Sequence, residues 1–138
     1  MLKYLAAYLG AGLAFAVIDA VWLTTVGPKL YRPALDDVLA DQFNLPAAIA
    51  FYLVFIAGVL MLAILPAVRE GAGWTRAMAN GAMLGFVAYA TYDLTNQATL
   101  KVWSLKVTLA DIGWGTVLTA CAAAAGFAAY RWTETRLG

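Results

Sequence analysis

Four long apolar stretches take up most of this sequence and decide what it can fold into. They cover about residues 3–26, 46–67, 76–100 and 107–131. An α-helix needs about 20 mostly apolar residues to cross the roughly 30 Å of hydrocarbon in a bilayer, and each stretch is long enough. The sequence therefore predicts an all-α integral membrane protein, a four-helix bundle that forms a single domain over residues 1–138.

The composition supports this class and leaves little chain for a soluble domain. Hydrophobic residues make up 64% of the sequence and charged residues 12%, with a mean hydropathy of +0.77. Soluble domains carry about 25% charged residues, so any activity should lie within or against the bilayer. The sequence has no histidine, which excludes histidine-ligated haem, histidine proton relays and the usual zinc sites. The single cysteine, Cys121, lies in an alanine-rich stretch and is interpreted as a small packing residue.

The first stretch has a second interpretation as a cleavable signal peptide. Lys3 would be its basic end, and the segment AFA of residues 14–16 would be its cleavage site. The apolar run continues beyond Asp19 to Val26, which favours a membrane helix.

The longest connection, residues 27–45, carries a helical pattern of its own. Residues at helical spacing are Leu35, Val38, Leu39, Gln42 and Phe43, with Asp36, Asp37 and Asp41 on the other side. This pattern suits a short amphipathic helix at the membrane interface. An ordinary loop with one helical turn fits the same residues.

Basic residues outside the apolar stretches orient the helices, because cytoplasmic loops of membrane proteins are enriched in lysine and arginine. The side that holds the termini carries Lys3, Arg69, Arg76, Arg131 and Arg136, and the opposite side carries Lys29, Arg32, Lys101 and Lys106. This small excess predicts that both termini are cytoplasmic. It also leaves room for dual insertion, in which copies of the chain take up both orientations.

Three aspartates interrupt the apolar stretches at one expected depth. Asp19 and Asp93 each lie seven residues before the expected end of their helix, and Asp111 lies four residues after the start of the fourth. Because the first and third helices run toward the side from which the fourth starts, all three should lie about 6–11 Å from one membrane surface. An ionisable side chain at such a depth costs at least about 2–3 kcal/mol and is a functional candidate.

Small residues continue the helix face on which each aspartate lies. The faces are Gly12, Ala16 and Asp19 in the first helix; Ala77, Gly81, Gly85, Tyr89, Asp93 and Gln97 in the third; and Asp111, Gly115, Thr119, Ala122 and Gly126 in the fourth. Small residues mark where membrane helices approach closely, so we expect the three aspartates to point into the bundle. We also expect at least two of the carboxylates to share a hydrogen bond, a water or a cation.

Each aspartate is followed three residues later by a side chain with an N–H group. Trp22 follows Asp19, Trp114 follows Asp111, and Asn96 follows Asp93. This spacing shares a helix face, so each carboxylate should have its own donor. For the two tryptophans, the aromatic belt at the membrane interface is the favoured role, and Tyr31, Trp74 and Trp103 are assigned to the same belt. The candidate ligand-binding set is Asp19, Trp22, Tyr92, Asp93, Asn96, Asp111 and Trp114, and the alternative for each aspartate is a hydrogen bond between helices.

The segments YDLTNQATLKVW, DAVWL and DIGWGT together resemble a known family. They are similar to the bacterial predicted membrane proteins of domain-of-unknown-function family 2177, and the resemblance extends over essentially the whole chain. It implies a small multi-pass protein of the bacterial inner membrane. It brings no catalytic residues with it, and neither a cofactor nor a metal is specified.

Two classes of function fit these observations. The first is binding or transport of a cation, a proton-coupled solute or a lipid-like ligand, in which aspartates and aromatic walls recognise the ligand; an accessory protein with an aromatic-rich cleft is a variant. The alternative is a membrane enzyme that acts on a lipid or an isoprenoid at the interface, with aspartates as metal ligands or as acid and base. Binding or transport is favoured. The expected partners are the lipid bilayer and a small-molecule or cation ligand, with oligomerisation needed for a wide pathway and no nucleic acid.

Overall fold

The computed structural model describes residues 1–137, and within that range the chain is all-α. The helices are α1 (Leu2–Thr25), α2 (Gly27–Leu35), α3 (Leu45–Gly58), α4 (Leu65–Arg69), α5 (Trp74–Thr99) and α6 (Leu105–Leu137). A 3₁₀ turn, Asp36–Val38, follows α2, and a π-helical segment, Val59–Ile64, joins α3 to α4 without a break. The prediction of an all-helical fold is confirmed.

Three of the four predicted membrane stretches have a helix that is long and apolar enough to cross a bilayer. These helices span Leu2–Thr25, Leu45–Arg69 and Leu105–Leu137. The fourth predicted stretch corresponds to α5, which has sufficient length at 26 residues. Its polar side chains, among them Asn80, Asp93 and Gln97, lower its hydropathy, and it does not count among these apolar helices.

Both ends of the chain lie at one end of the helix assembly. Lys3 Nζ lies 2.9 Å from Glu134 Oε1, and the rings of Tyr4 and Tyr130 meet edge to face with centroids 5.6 Å apart. Helices α1 and α6 are therefore antiparallel neighbours. Helix α6 is the central element, since it packs against α1, α5 and the π-helical segment.

Glycines allow α5 and α6 to pack at close range. A Cβ on Gly85 would lie 2.3 Å from the carbonyl oxygen of Gly115, and a Cβ on Gly81 would lie 2.7 Å from that of Thr119. Because side chains larger than hydrogen cannot be accommodated there, the small-residue face expected for α5 is an actual packing face. Cys121, expected to be a packing residue, is instead exposed on α6.

The face of α1 differs from the expected one. Its buried residues are Ala7, Ala11, Phe15 and Asp19, a strict four-residue spacing. Ala16 is exposed, and Gly12 makes only an ordinary contact, 3.7 Å from its Cβ position to Ile56. The expected face of Gly12 and Ala16 was therefore wrong, because the side chain that α6 and α3 bury on α1 is the large Phe15.

The connection after α1 also differs from its expected structure. Its helix occupies Gly27–Leu35 and begins at once after α1, helped by a proline in its first turn. Leu30 and Leu35 are buried in a small cluster with Val107 of α6, which holds α2 against the bundle. Residues 39–44 are not helical, so the helical pattern of residues 35–43 does not form a helix beyond the 3₁₀ turn.

Candidate ligand-binding site

Asp19 is a buried carboxylate with a hydrogen bond to each oxygen. Tyr52 of α3 donates its hydroxyl to Oδ2 at 2.8 Å, and Trp114 of α6 donates Nε1 to Oδ1 at 3.2 Å. The residue is only 9% exposed. Three helices therefore meet at this carboxylate, and both donors come from outside α1.

Asp111 is half-buried near the start of α6 and is held by helix α2. The hydroxyl of Tyr31 donates to its Oδ1, and Trp22 Nε1 donates to the same hydroxyl at 2.8 Å. Burial and the hydrogen bond to Asp111 raise the pKa of the Tyr31 hydroxyl above its ordinary value of about 10. Tyr31 is therefore a neutral donor at physiological pH. The Tyr31 hydroxyl therefore has a partner in the site, a role that the sequence analysis did not assign to it.

An aromatic stack joins these two carboxylates. The rings of Trp22 and Trp114 are parallel within 10°, with centroids 4.3 Å apart. Trp114 donates a hydrogen bond to Asp19, and Trp22 is connected to Asp111 through the hydroxyl of Tyr31. Asp19 and Asp111 thus belong to a single hydrogen-bonded aromatic network that α1, α2, α3 and α6 all build.

The hydrogen-bond donors of the aspartates differ from those predicted from the sequence. Each tryptophan was expected to serve the aspartate three residues before it, yet Trp114 binds Asp19 on the neighbouring helix. Side chains on one helix face point outward together, so an indole reaches across to the facing helix more readily than back to its own. Tyr31 and Tyr52 were not among the candidate residues. The one sequence signal for their role as donors is the phenolic hydroxyl, which needs a hydrogen-bond partner when it is buried.

Asp93 is the most buried of the three aspartates and has the fewest partners. It is 0% exposed, and neither of its oxygens has a hydrogen-bond partner among the described residues. The expected donor, Asn96, makes no hydrogen bond to it within that part of the chain. Gln97, four residues on, has a buried Oε1 that is also unpaired there.

A cavity of about 330 Å³ opens between α3 and α5 and reaches Asp111. Its lining residues are Phe51, Phe55, Ala88, Tyr89, Tyr92 and Asp111. The ring of Tyr89 rests directly on α6, because a Cβ on Gly115 would come within 2.2 Å of it. Tyr92 is 60% exposed and meets the edge of Trp103, so it forms the rim.

The three carboxylates do not form one direct cluster. Residues 1–137 contain no group of three or more Asp, Glu, Cys or His side chains placed to hold a metal ion. Asp19 and Asp111 take their hydrogen bonds from aromatic side chains, not from each other. Of the three, Asp111 is the carboxylate that lines the cavity.

Long apolar helices, a glycine-packed interface and aspartates buried among aromatic rings define a helical membrane protein. The chain belongs to the family of predicted membrane proteins DUF2177, whose family model matches residues 4–128. The resemblance noted at YDLTNQATLKVW and its two companion segments is therefore confirmed. No curated protein and no solved structure matches the chain.

Proposed function

We propose that the protein binds an organic cation, an amine with apolar substituents, in the cavity beside Asp111. The observation that carries this proposal is the cavity lining: aromatic and alanine side chains with one carboxylate among them. Aromatic faces attract cations through their quadrupole, and the attraction grows when the cation leaves water. The apolar walls take the substituents, and Asp111 takes the charge.

The charge distribution around the cavity supports a cationic ligand. In the part of the chain that the structure describes, the ion pairs are Lys3–Glu134, Arg76–Glu70 and Arg131–Glu134. All of them lie away from the three aspartates. The polar contacts of Asp19 and Asp111 are neutral hydroxyl and indole groups, and Asp93 has none among the described residues. Buried carboxylates without a basic partner attract positive charge, so this end of the bundle favours a cation over an anion or a neutral solute.

The position of the termini supports a four-span topology. Three crossings would leave the two ends of the chain on opposite sides of the membrane, yet Lys3 and Glu134 are in contact. An even number of crossings places both chain ends on one side of the membrane. Helix α5 packs along α6 and, at about 1.5 Å per residue, is long enough to be the fourth crossing. We therefore propose a four-span protein of the bacterial inner membrane with both termini cytoplasmic and α2 at the opposite interface.

Cysteine labelling tests this topology. In a Cys121→Ala background, Asp37→Cys and Arg136→Cys should react with a membrane-impermeant maleimide from opposite sides. Labelling of both positions from one side in every copy contradicts four spans, and partial labelling of both from each side indicates dual insertion.

A matched pair of ligands tests the binding proposal. Benzyltrimethylammonium and its uncharged carbon isostere, neopentylbenzene, have the same shape, so a difference in their binding reports the charge. We expect calorimetric binding of the cation in detergent and at least about tenfold weaker binding to Asp111→Asn, the scale of losing a charged partner. Asp36→Asn, an exposed carboxylate outside the site, is the control. Equal binding of the two ligands, or unchanged cation binding by Asp111→Asn, would refute the proposal.

A further inference from the structure

Two buried acceptors on α5 lack a donor in the network that satisfies Asp19 and Asp111. They are the carboxylate of Asp93 and the Oε1 of Gln97. A buried polar group without a hydrogen bond costs about 1–3 kcal/mol, and an isolated buried charge costs more. An ionised Asp93 in this position would carry both penalties.

The spacing of Asp93 and Gln97 allows their side chains to form a hydrogen bond with each other if one of them gains a donor. Residues four apart on a helix are neighbours on one face, close enough for side-chain hydrogen bonds. Both groups are acceptors, so they cannot satisfy each other as they stand. A single proton on Asp93 turns its carboxyl into a donor toward Gln97 Oε1 and removes the buried charge.

The groups around Asp93 add no positive charge that could replace this proton. Asp111 on α6 acts on Asp93 directly, whereas Asp19 on α1 and Tyr52 on α3 act on the neighbouring Tyr89 of α5. The π-helical segment and α4 also pack on α5, and Arg69 of α4 lies at the end that holds the termini. Lys101 and Lys106 are exposed at the rim. A second carboxylate nearby makes an ionised Asp93 still less favourable.

We propose that Asp93 and Gln97 form a proton-binding site, which is occupied in the ligand-free protein and loses its proton when a cation enters the cavity. The second half of this proposal rests on the proposed function. A cation at Asp111 adds one positive charge beside Asp93, which stabilises the ionised carboxylate. The proton leaves to bulk water, so one charge enters the buried site and one leaves it.

The rival arrangement turns the amide of Gln97 so that its NH₂ group donates to an ionised Asp93. Amide orientation is assigned from the hydrogen-bond network and is not a property of the heavy-atom positions. Infrared spectroscopy separates the two arrangements, because a protonated carboxylic acid and a carboxylate absorb at different frequencies.

The first experiment uses ligand-free protein at neutral pH. We expect a carboxylic-acid carbonyl band that Asp93→Asn removes and that the control, Asp36→Asn, leaves in place. Gln97→Leu keeps Asp93 but removes its acceptor, so the same band should move to higher frequency. This variant gives a reading that does not depend on the folding of Asp93→Asn. A spectrum with no carboxylic-acid band sensitive to either residue overturns the proposal.

The second experiment titrates benzyltrimethylammonium into weakly buffered detergent solution and follows proton release with a pH indicator. We expect release of up to one proton for each bound cation in the wild type and none in Asp93→Asn, with binding measured separately by calorimetry. Cation binding without proton release overturns the coupling and leaves the proposed function standing. Absence of binding together with the expected infrared band contradicts the proposed function and supports the proton site.

Discussion

The helices pack closely at one end of the bundle and are held apart by large side chains at the other. At the small-residue end (Gly10, Gly81, Gly85 and Gly126), a Cβ added to any of these glycines would lie within 2.3–2.8 Å of an atom of a neighbouring helix or segment. At the acidic end (Asp19, Asp93 and Asp111), indole and phenol rings stand between the helices, and a cavity of about 330 Å³ opens. The same helices are thus close-packed over one part of their length and spaced by large side chains over the other.

This difference separates stability from binding. Lipid tails are as apolar as the helices, so association within a bilayer relies on close packing and on hydrogen bonds between helices. The small-residue end supplies the close packing. The acidic end is held by a few hydrogen bonds to carboxylates, which leaves space and charge for a ligand. Substitutions at the two ends should therefore differ in both size and kind of effect.

The largest effect is expected at the small-residue end. Gly85→Leu would place its Cβ 2.3 Å from the Gly115 carbonyl oxygen, and backbone cannot yield as a side chain can. We expect a loss of about 3 kcal/mol or more in unfolding free energy, seen as failure to assemble or a large drop in Tm in detergent. Gly113→Leu is the control, because no described atom of a neighbouring helix lies within 4 Å of its Cβ position. A normal Tm for Gly85→Leu would show that α5 and α6 do not meet at this face.

A smaller effect is expected from Trp114→Phe at the acidic end. The variant keeps an aromatic ring against Trp22 but leaves Asp19 Oδ1 without its donor. The loss should be about 1–3 kcal/mol, the cost of an unsatisfied buried acceptor. Trp132→Phe, on the exposed side of α6, is the matched control. Equal Tm values for the two variants would contradict the hydrogen bond to Asp19.

Tyr31→Phe should cost less, about 1 kcal/mol, because it removes one hydroxyl from a site that is only half-buried. The effect should depend on pH. Since folding raises the pKa of Tyr31 above about 10, its contribution is fully present below pH 10 and is lost as the pH rises through the folded-state pKa. The Tm difference between wild type and Tyr31→Phe should therefore be constant at neutral pH and shrink in strong base. A Tm difference that stays the same in strong base would contradict this role of the Tyr31 hydroxyl.

The smallest effect is expected from Lys3→Met, which removes the ion pair with Glu134 that joins the chain ends. Exposed ion pairs are screened by water and salt and contribute little. We expect an unchanged Tm over a range of salt concentrations. A drop as large as that of Trp114→Phe would mean that the small-residue end also depends on charge, which would weaken the contrast between the two ends.

The sequence predicted the long helices and the α5 packing face well, because both depend on local periodicity and residue size. Gly81 and Gly85 could be identified from their spacing alone. The face of α1 could not, since Phe15 shows its burial only when its neighbours α3 and α6 are in place. The donors of Asp19 and Asp111 escaped prediction for the same reason. Tyr52 and Tyr31 lie 33 and 80 residues from their partners, and no periodic pattern records such pairings.

The cavity opens sideways between α3 and α5, where Phe51 and Tyr92 are both exposed. In the proposed four-span topology, such an opening faces the membrane interior. A ligand of the proposed class would then be drawn from the lipid phase, and its partition coefficient would set the local concentration at the cavity mouth. Dose-response curves in whole cells would then follow lipophilicity as well as affinity. Comparing ligands on an aqueous concentration scale alone would rank them incorrectly.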